Sequence, residues 1–156
     1  MEDWQRQRPI SRQRLGWMLG LDPSRERSPL NAVVAGVVEQ SRCRIEKIVL
    51  ESLPGLQVTA NFYVPHDRPS RLPCIVYLNG HSTTLDGAKT AHQTPSLWYP
   101  ANGFALLVVD PLGFGEIPGI HAGTHRLNWW HWLSLGYTPA GVEVWNAMRA
   151  LDWLET

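Results

Sequence analysis

Two stretches of this chain are apolar without a break: Cys74-Ile75-Val76-Tyr77-Leu78 and Phe104-Ala105-Leu106-Leu107-Val108-Val109. A strand with one wet face alternates apolar and polar residues, whereas a strand covered on both faces does not, as in parallel sheets. About 25 residues separate the two runs, with Thr94-Pro95 as a helix start and Asn102-Gly103 as a helix stop. Strand, helix and strand at this spacing form a βαβ crossover, expected to be right-handed. Pro100 lies inside the expected helix and should shorten or kink it.

Upstream the pattern differs. Leu56, Val58, Ala60, Phe62 and Val64 alternate with Gln57, Thr59, Asn61 and Tyr63, which predicts a half-buried strand. Residues 44–51 alternate weakly, and Pro54-Gly55 lies between the two segments. Gly at the third position of a type II turn takes φ > 0, so the pair reads as an antiparallel hairpin. Residues 1–10 read as a frayed lead-in. Ser11 follows as an N-cap, with Ile10 and Leu15 as a hydrophobic staple and Gly20 as the stop of a short helix. The apolar run Ala32 to Val38 reads as loop or strand. Near the other end, Thr138 caps a helix with Pro139 at its first position. Val144, Trp145, Met148 and Leu151 carry its apolar side, and no stop signal follows it. That lack suggests an interrupted sequence.

A chain of 156 residues has room for one domain. Its 14 basic and 14 acidic residues cancel, which argues against nucleic acid as a partner. No apolar run reaches the ~20 residues needed to span a membrane. The charges of the N-terminal segment have no apolar stretch behind them, so no signal peptide is expected there and the chain reads as soluble, its location unknown. Cys43 and Cys74 make no disulfide framework and read as buried thiols.

Three segments carry candidate chemistry. Leu78-Asn79-Gly80-His81-Ser82 leaves the C-terminal end of a buried strand, where ligands sit in open α/β sheets. Gly80 would let the backbone turn sharply, so that the next N–H groups point into a cleft and stabilise a developing oxyanion. Asp110-Pro111-Leu112-Gly113-Phe114-Gly115-Glu116 leaves the next strand. Its glycines raise a dinucleotide reading, which Pro111 and Pro118 oppose by leaving no helix N-terminus for a pyrophosphate. No cofactor is expected. The long loop from Pro111 to Tyr137 is of a length that tends to be functional. It holds His121 and His125, four apart, which read as surface histidines in a Gly-rich setting more readily than as metal ligands, so no metal is expected. It also holds Trp129, Trp130 and Trp132, whose rings suit either a substrate cleft or a packed core. No G-x-S-x-G occurs in the chain.

In order, these segments resemble the N-terminal half of an α/β-hydrolase. The stretches LGLDPSRERSPLNA, RIEKIVLESLPGLQVTANFYVP, GEIPGIHAGTHR and GYTPAGVEVWNAMRALDWL are similar, more narrowly, to bacterial acetylxylan-esterase-like serine hydrolases. The resemblance runs from about residue 12 to the end. It implies an incomplete α/β-hydrolase fold: residues 1–43 as a lead-in helix and loop, then 44–156 as the first part of the domain, ending before the nucleophile elbow. In that family the triad runs Ser, Asp or Glu, then His, and all three would lie beyond residue 156. Gly80, His81 and Ser82 correspond to the first oxyanion-hole loop, and Asp110 to a structural Asp-x-x-Gly turn. Glu116, Trp129, Trp130 and Trp132 would line the substrate side, and a small-molecule or carbohydrate ester would be the substrate of the complete enzyme. The chain alone is expected to be inactive, with an open apolar sheet edge that favours aggregation. The alternative is a non-catalytic ligand-binding module that keeps the half-fold and is a soluble, cooperatively folding monomer. Gel filtration with a thermal melt separates the two.

Overall fold

In a computed structural model, described for residues 2–22, 24–67, 71–81, 88–116 and 131–156, five strands form one mixed sheet. The strands are β1 (Val33–Glu39), β2 (Cys43–Leu53), β3 (Leu56–Pro65), β4 (Cys74–Leu78) and β5 (Ala105–Val109). Their order is β1-β2-β3-β5-β4, with β4 at one edge. The two apolar runs do pair in parallel, with Cys74 opposite Ala105 and Leu78 opposite Val109. Every residue of β5 is buried, and each of its Leu and Val side chains contributes roughly 1.5–3 kcal/mol. Gly55 has φ +80 between β2 and β3, as the turn requires. The run Ala32 to Val38 resolves as strand: β1 pairs antiparallel with β2 and joins the same sheet.

Between β4 and β5 the structure has three single turns rather than one helix: α2 (Ala88–Ala91), α3 (Gln93–Ser96) and α4 (Trp98–Ala101). Pro95 and Pro100 each remove a backbone donor, which keeps the segment from continuing as one ladder. A fourth turn, α5 (His131–Ser134), precedes α6 (Pro139–Leu154). The Thr138 hydroxyl accepts from the Gly141 N–H at 2.9 Å, which is the expected N-cap.

The centre of the sheet is covered on both faces, while β1 is largely exposed. Leu107 and Val109 of β5 pack with Val58, Ala60, Ile48 and Leu50 beneath Ala150 of α6. Leu106 and Val108 face the other way, with Tyr63, Cys43 and Tyr99 of α4. This corrects the expectation that β3 is half-buried: Thr59, Asn61 and Tyr63 on its supposedly wet face are buried too. Being central in the sheet, β3 has no wet face to offer. The apolar side of α6 is also revised. Trp145 and Ala150 are buried, and the Trp145 indole N–H donates to the Ser52 carbonyl at 2.8 Å. Val144 and Leu151 are exposed instead.

Helix α1 (Glu2–Leu19) is far longer than expected, and residues 2–10 are helical rather than frayed. Apart from Pro9, its Gln and Arg residues are good helix formers. The helix therefore passes straight through Ser11, and the staple does not form because Ile10 and Leu15 are both exposed. Gly20, at φ +68, ends it as expected. The tie to the body is at this end, where the Leu19 carbonyl accepts from the Thr138 hydroxyl at 2.8 Å.

Candidate functional site

Because β4 and β5 run parallel, the loops that follow them leave the sheet at the same end. The Asn79 side-chain amide donates to the Val109 carbonyl at 3.0 Å and so ties the two exits together. Gly80 follows. Its φ does not lie in the left-handed region, and a side chain there would meet none of the described residues within 4 Å. The turn thus does not draw on glycine's extra backbone freedom; what glycine leaves is open space at the end of β4.

His81 is fixed from two sides. Its Nε2 lies 2.8 Å from Glu143 Oε1 on α6, and its ring stacks on Phe114 of the β5 exit loop at 5.1 Å and 20°. An imidazole held by a carboxylate is one part of a nucleophile-activating set, with the attacking group still to be supplied. Ser82 lies outside the described residues, as do His121, His125, Trp129 and Trp130.

Behind the loops is a buried charge cluster. Asp110 ends β5 with its N–H donating to the Thr59 carbonyl at 3.0 Å. Its Oδ2 accepts from the Thr59 hydroxyl at 2.8 Å and from Lys89 Nζ at 2.7 Å. Lys89 also reaches Glu116 Oε2 at 2.6 Å. The Lys89 and Asp110 side chains are 4% and 2% exposed. The hydrogen bond from Lys89 holds the Glu116 carboxyl below the usual carboxylate range. Gly115, at φ +72, is required here: a Cβ would lie 2.5 Å from Asp110 Oδ2. The Asp110 carboxylate is thus bonded by β3 and α2, and its own loop passes close beside it.

A groove of about 350 Å³ opens beside these loops, between the end of β4 and α6. Leu78, Val109, Leu112, Val144, Met148 and Leu151 give it apolar walls, and Asn79 and Glu143 stand on its lining. Neither Glu116 nor Trp132 lines it. Glu116 is committed to Lys89, and the Trp132 carbonyl accepts from the Tyr137 N–H at 2.9 Å. Among the described residues, no group of three His, Cys, Asp or Glu side chains is placed to hold a metal ion, and no helix is long and apolar enough to cross a membrane. Burial pushes the Cys43 and Cys74 thiols up.

Sequence reasoning passed over Lys89, Glu143 and Thr59. A lone lysine after a Gly- and Thr-containing segment reads as a solvated charge, and Glu143 reads as an ordinary helix-surface acid. Only the packing of α2 and α6 against the sheet ends reveals their partners.

No protein-family model matches the chain, and no curated protein matches it in sequence. Solved structures do match its backbone. A candidate acetyl xylan esterase from Bacteroides fragilis aligns over 99% of this chain and 44% of its own, at a TM-score of 0.75 and 18% identity. A glucuronoyl esterase from Solibacter usitatus aligns over 86% of this chain and 43% of its own, at a TM-score of 0.56 and 15% identity. A cold-adapted esterase from an Arctic intertidal metagenomic library aligns over 82% of this chain and 50% of its own, at a TM-score of 0.53 and 20% identity. The chain spans half or less of the length of these structures. At such identities the likeness shows the fold alone: this chain has the fold of part of these esterase structures.

Proposed function

We propose that this chain is part of a serine carboxylic-ester hydrolase and supplies its oxyanion-hole loop but not its catalytic triad. The observation that carries the reading is the shared fold, at a TM-score of 0.75 over 99% of the chain, with an acetyl xylan esterase candidate. Residues 44–156 are the first part of the hydrolase domain, and residues 1–43 bring the lead-in helix α1 together with β1, which joins the domain's sheet.

In the complete enzyme a serine attacks the acyl carbon, a histidine accepts its proton, and an acid orients the imidazole. The carbonyl oxygen becomes an oxyanion. Backbone N–H groups at Gly80–Ser82 face that oxygen, together with the N–H after the nucleophile; each such donor is worth roughly 3 kcal/mol in the transition state. For this task a loop must be rigid before the reaction starts. The Asn79 bond to Val109 and the clamp of Glu143 and Phe114 on His81 supply that rigidity. The substrate is an ester, with a carbohydrate ester favoured by the two neighbours named for such substrates. Trp129, Trp130 and Trp132 belong to the loop assigned to the acyl or sugar side.

A fluorophosphonate probe, which labels activated serines, tests this. The 156-residue chain should remain unlabelled, and a longer polypeptide from the same reading frame should be labelled at one serine beyond Thr156. Labelling inside the 156 residues would overturn the assignment of roles, and an unlabelled longer polypeptide would overturn the serine chemistry.

A further inference from the structure

We propose that the cavity beside Arg25 binds a small organic acid through its carboxylate. The site lies apart from the β4 and β5 exit loops, and the inference does not rest on the ester chemistry.

The segment that follows α1 runs past the β2–β3 turn, tied there where the Leu30 carbonyl accepts from the Glu51 N–H at 2.7 Å. Between segment and turn opens a cavity of about 520 Å³. Small-molecule sites span roughly 300–1,000 Å³, so its size suits a metabolite. Because β3 runs antiparallel to β5, the β2–β3 turn stands at the end of the sheet from which the β4 and β5 loops leave. The cavity therefore opens at the ligand-binding end of the sheet, with β3 between it and the β5 exit.

Arg25 stands on its lining. The guanidinium carbon lies 4.9 Å from the centre of the Tyr137 ring and 5.6 Å from that of Trp145. Cation–π attraction holds it there, and Trp145 is itself fixed by its indole bond to the Ser52 carbonyl. Among the described residues no ion pair or hydrogen bond takes up the side-chain N–H groups of Arg25. Asp22, three residues before it, accepts from the Ser24 N–H and hydroxyl instead. A guanidinium that is oriented in advance and keeps its donors free loses little freedom when it grips a carboxylate with two parallel bonds. The Ser28 hydroxyl, on the same lining, is buried with no partner among the described residues. Such a group is a donor still to be satisfied.

The surrounding charges set the valence of the ligand. Arg27 also stands on the lining, but it is bonded to Asp152, which takes the Arg149 guanidinium at 2.6 Å as well. Glu26 is an exposed carboxylate on the same lining. One unshared guanidinium with Glu26 and Asp22 near it has charge for a monoanion and not for a phosphate dianion. Pro29, Leu53 and Pro54 give apolar walls against which a carbon skeleton can pack. A carboxylate on an apolar body meets both conditions.

Amide chemical shifts of the 156-residue chain, titrated at constant ionic strength with benzoate, benzamide and inorganic phosphate, test the proposal. Benzoate should move the amides of residues 25–28 saturably and leave those of Asn79–His81 in place. Benzamide and phosphate should bind the site about tenfold more weakly or not at all. Arg25→Gln should weaken benzoate by about tenfold or more while amides elsewhere keep their shifts. Arg25→Lys should fall between, because an ammonium lacks the paired donors. Glu26→Gln should tighten binding, a gain that loss of folding cannot imitate. The proposal is overturned if benzoate leaves residues 25–28 unmoved, or moves Asn79–His81 instead. Equal binding of benzamide would reduce the cavity to an apolar cleft, and tighter binding of phosphate would assign it to a dianion; either contradicts the proposal, as does unchanged affinity in Arg25→Gln.

Discussion

Lys89 is a cation almost sealed from water, between the carboxylates of Asp110 and Glu116. Removing one member of a buried pair leaves the other uncompensated, which typically costs about 3–5 kcal/mol. We expect Lys89→Met to lower the midpoint of a urea melt, with a loss of unfolding free energy of that order, and Lys89→Arg to recover part of it. An unchanged midpoint would mean that the pair is not formed in solution. Glu116 is different, because its side chain is 56% exposed. Its folded pKa is depressed by Lys89, so its contribution is present above the ordinary carboxylate value and is lost as pH falls through the folded value. Stability should therefore decline on acidification below the usual carboxylate range, and Glu116→Gln should flatten that arm while shifting neutral-pH stability by no more than about 1 kcal/mol. Parallel melts at about pH 7 and about pH 3.5, above and below the ordinary carboxylate values, read both effects. None of this was legible in the sequence. The exit of β4 at Asn79-Gly80 was, because it follows an uninterrupted apolar run. The cluster that anchors its surroundings was not, because Thr59 and Lys89 gain their meaning only from Asp110, at the end of another strand.

Elements were legible where local chemistry decides them and misread where tertiary context does. Pro54-Gly55 and Thr138-Pro139 set a turn and a helix start by backbone geometry alone, and both stand where the residues placed them. On β3 the alternation was real but its meaning was not, since helices cover both sides of a central strand. On α6 the apolar residues do divide into stripes, and the stripe that packs here is Trp145 with Ala150 rather than Val144 with Leu151. The join between α1 and α6 depends on missing side chains. A Cβ on Gly141 would lie 1.8 Å from the Leu19 carbonyl oxygen, and one on Gly20 would lie 2.3 Å from the Gly136 carbonyl oxygen. We expect Gly141→Ala to push α1 off the body, although alanine is the better helix former by about 1 kcal/mol. Faster proteolysis between residues 20 and 30, with the sheet still folded by circular dichroism, is the expected signature. Equal cleavage rates would show that α1 is not held there. Thr138→Ala loses both the helix cap and the bond to Leu19, and should cost roughly 1–2 kcal/mol.

For the whole molecule, order along the chain was enough to anticipate a hairpin followed by a parallel unit, and the sheet has that layout. Continuous apolar runs pointed to the parallel pair, although β3 shows that a central antiparallel strand can be buried on both faces as well. What escaped was the extent of α1, since a helix exposed along nearly its whole length leaves no apolar stripe to read. The sheet ends in β1 on one side and β4 on the other, and the loop assigned to the oxyanion leaves the end of β4. In the function we propose, these residues prepare a place for negative charge, and the group that generates it comes from another part of the enzyme. Hydrolysis of p-nitrophenyl acetate by the purified 156-residue chain tests it most directly. We expect a rate equal to the buffer alone. Saturable turnover that Ser82→Ala abolishes would contradict the claim.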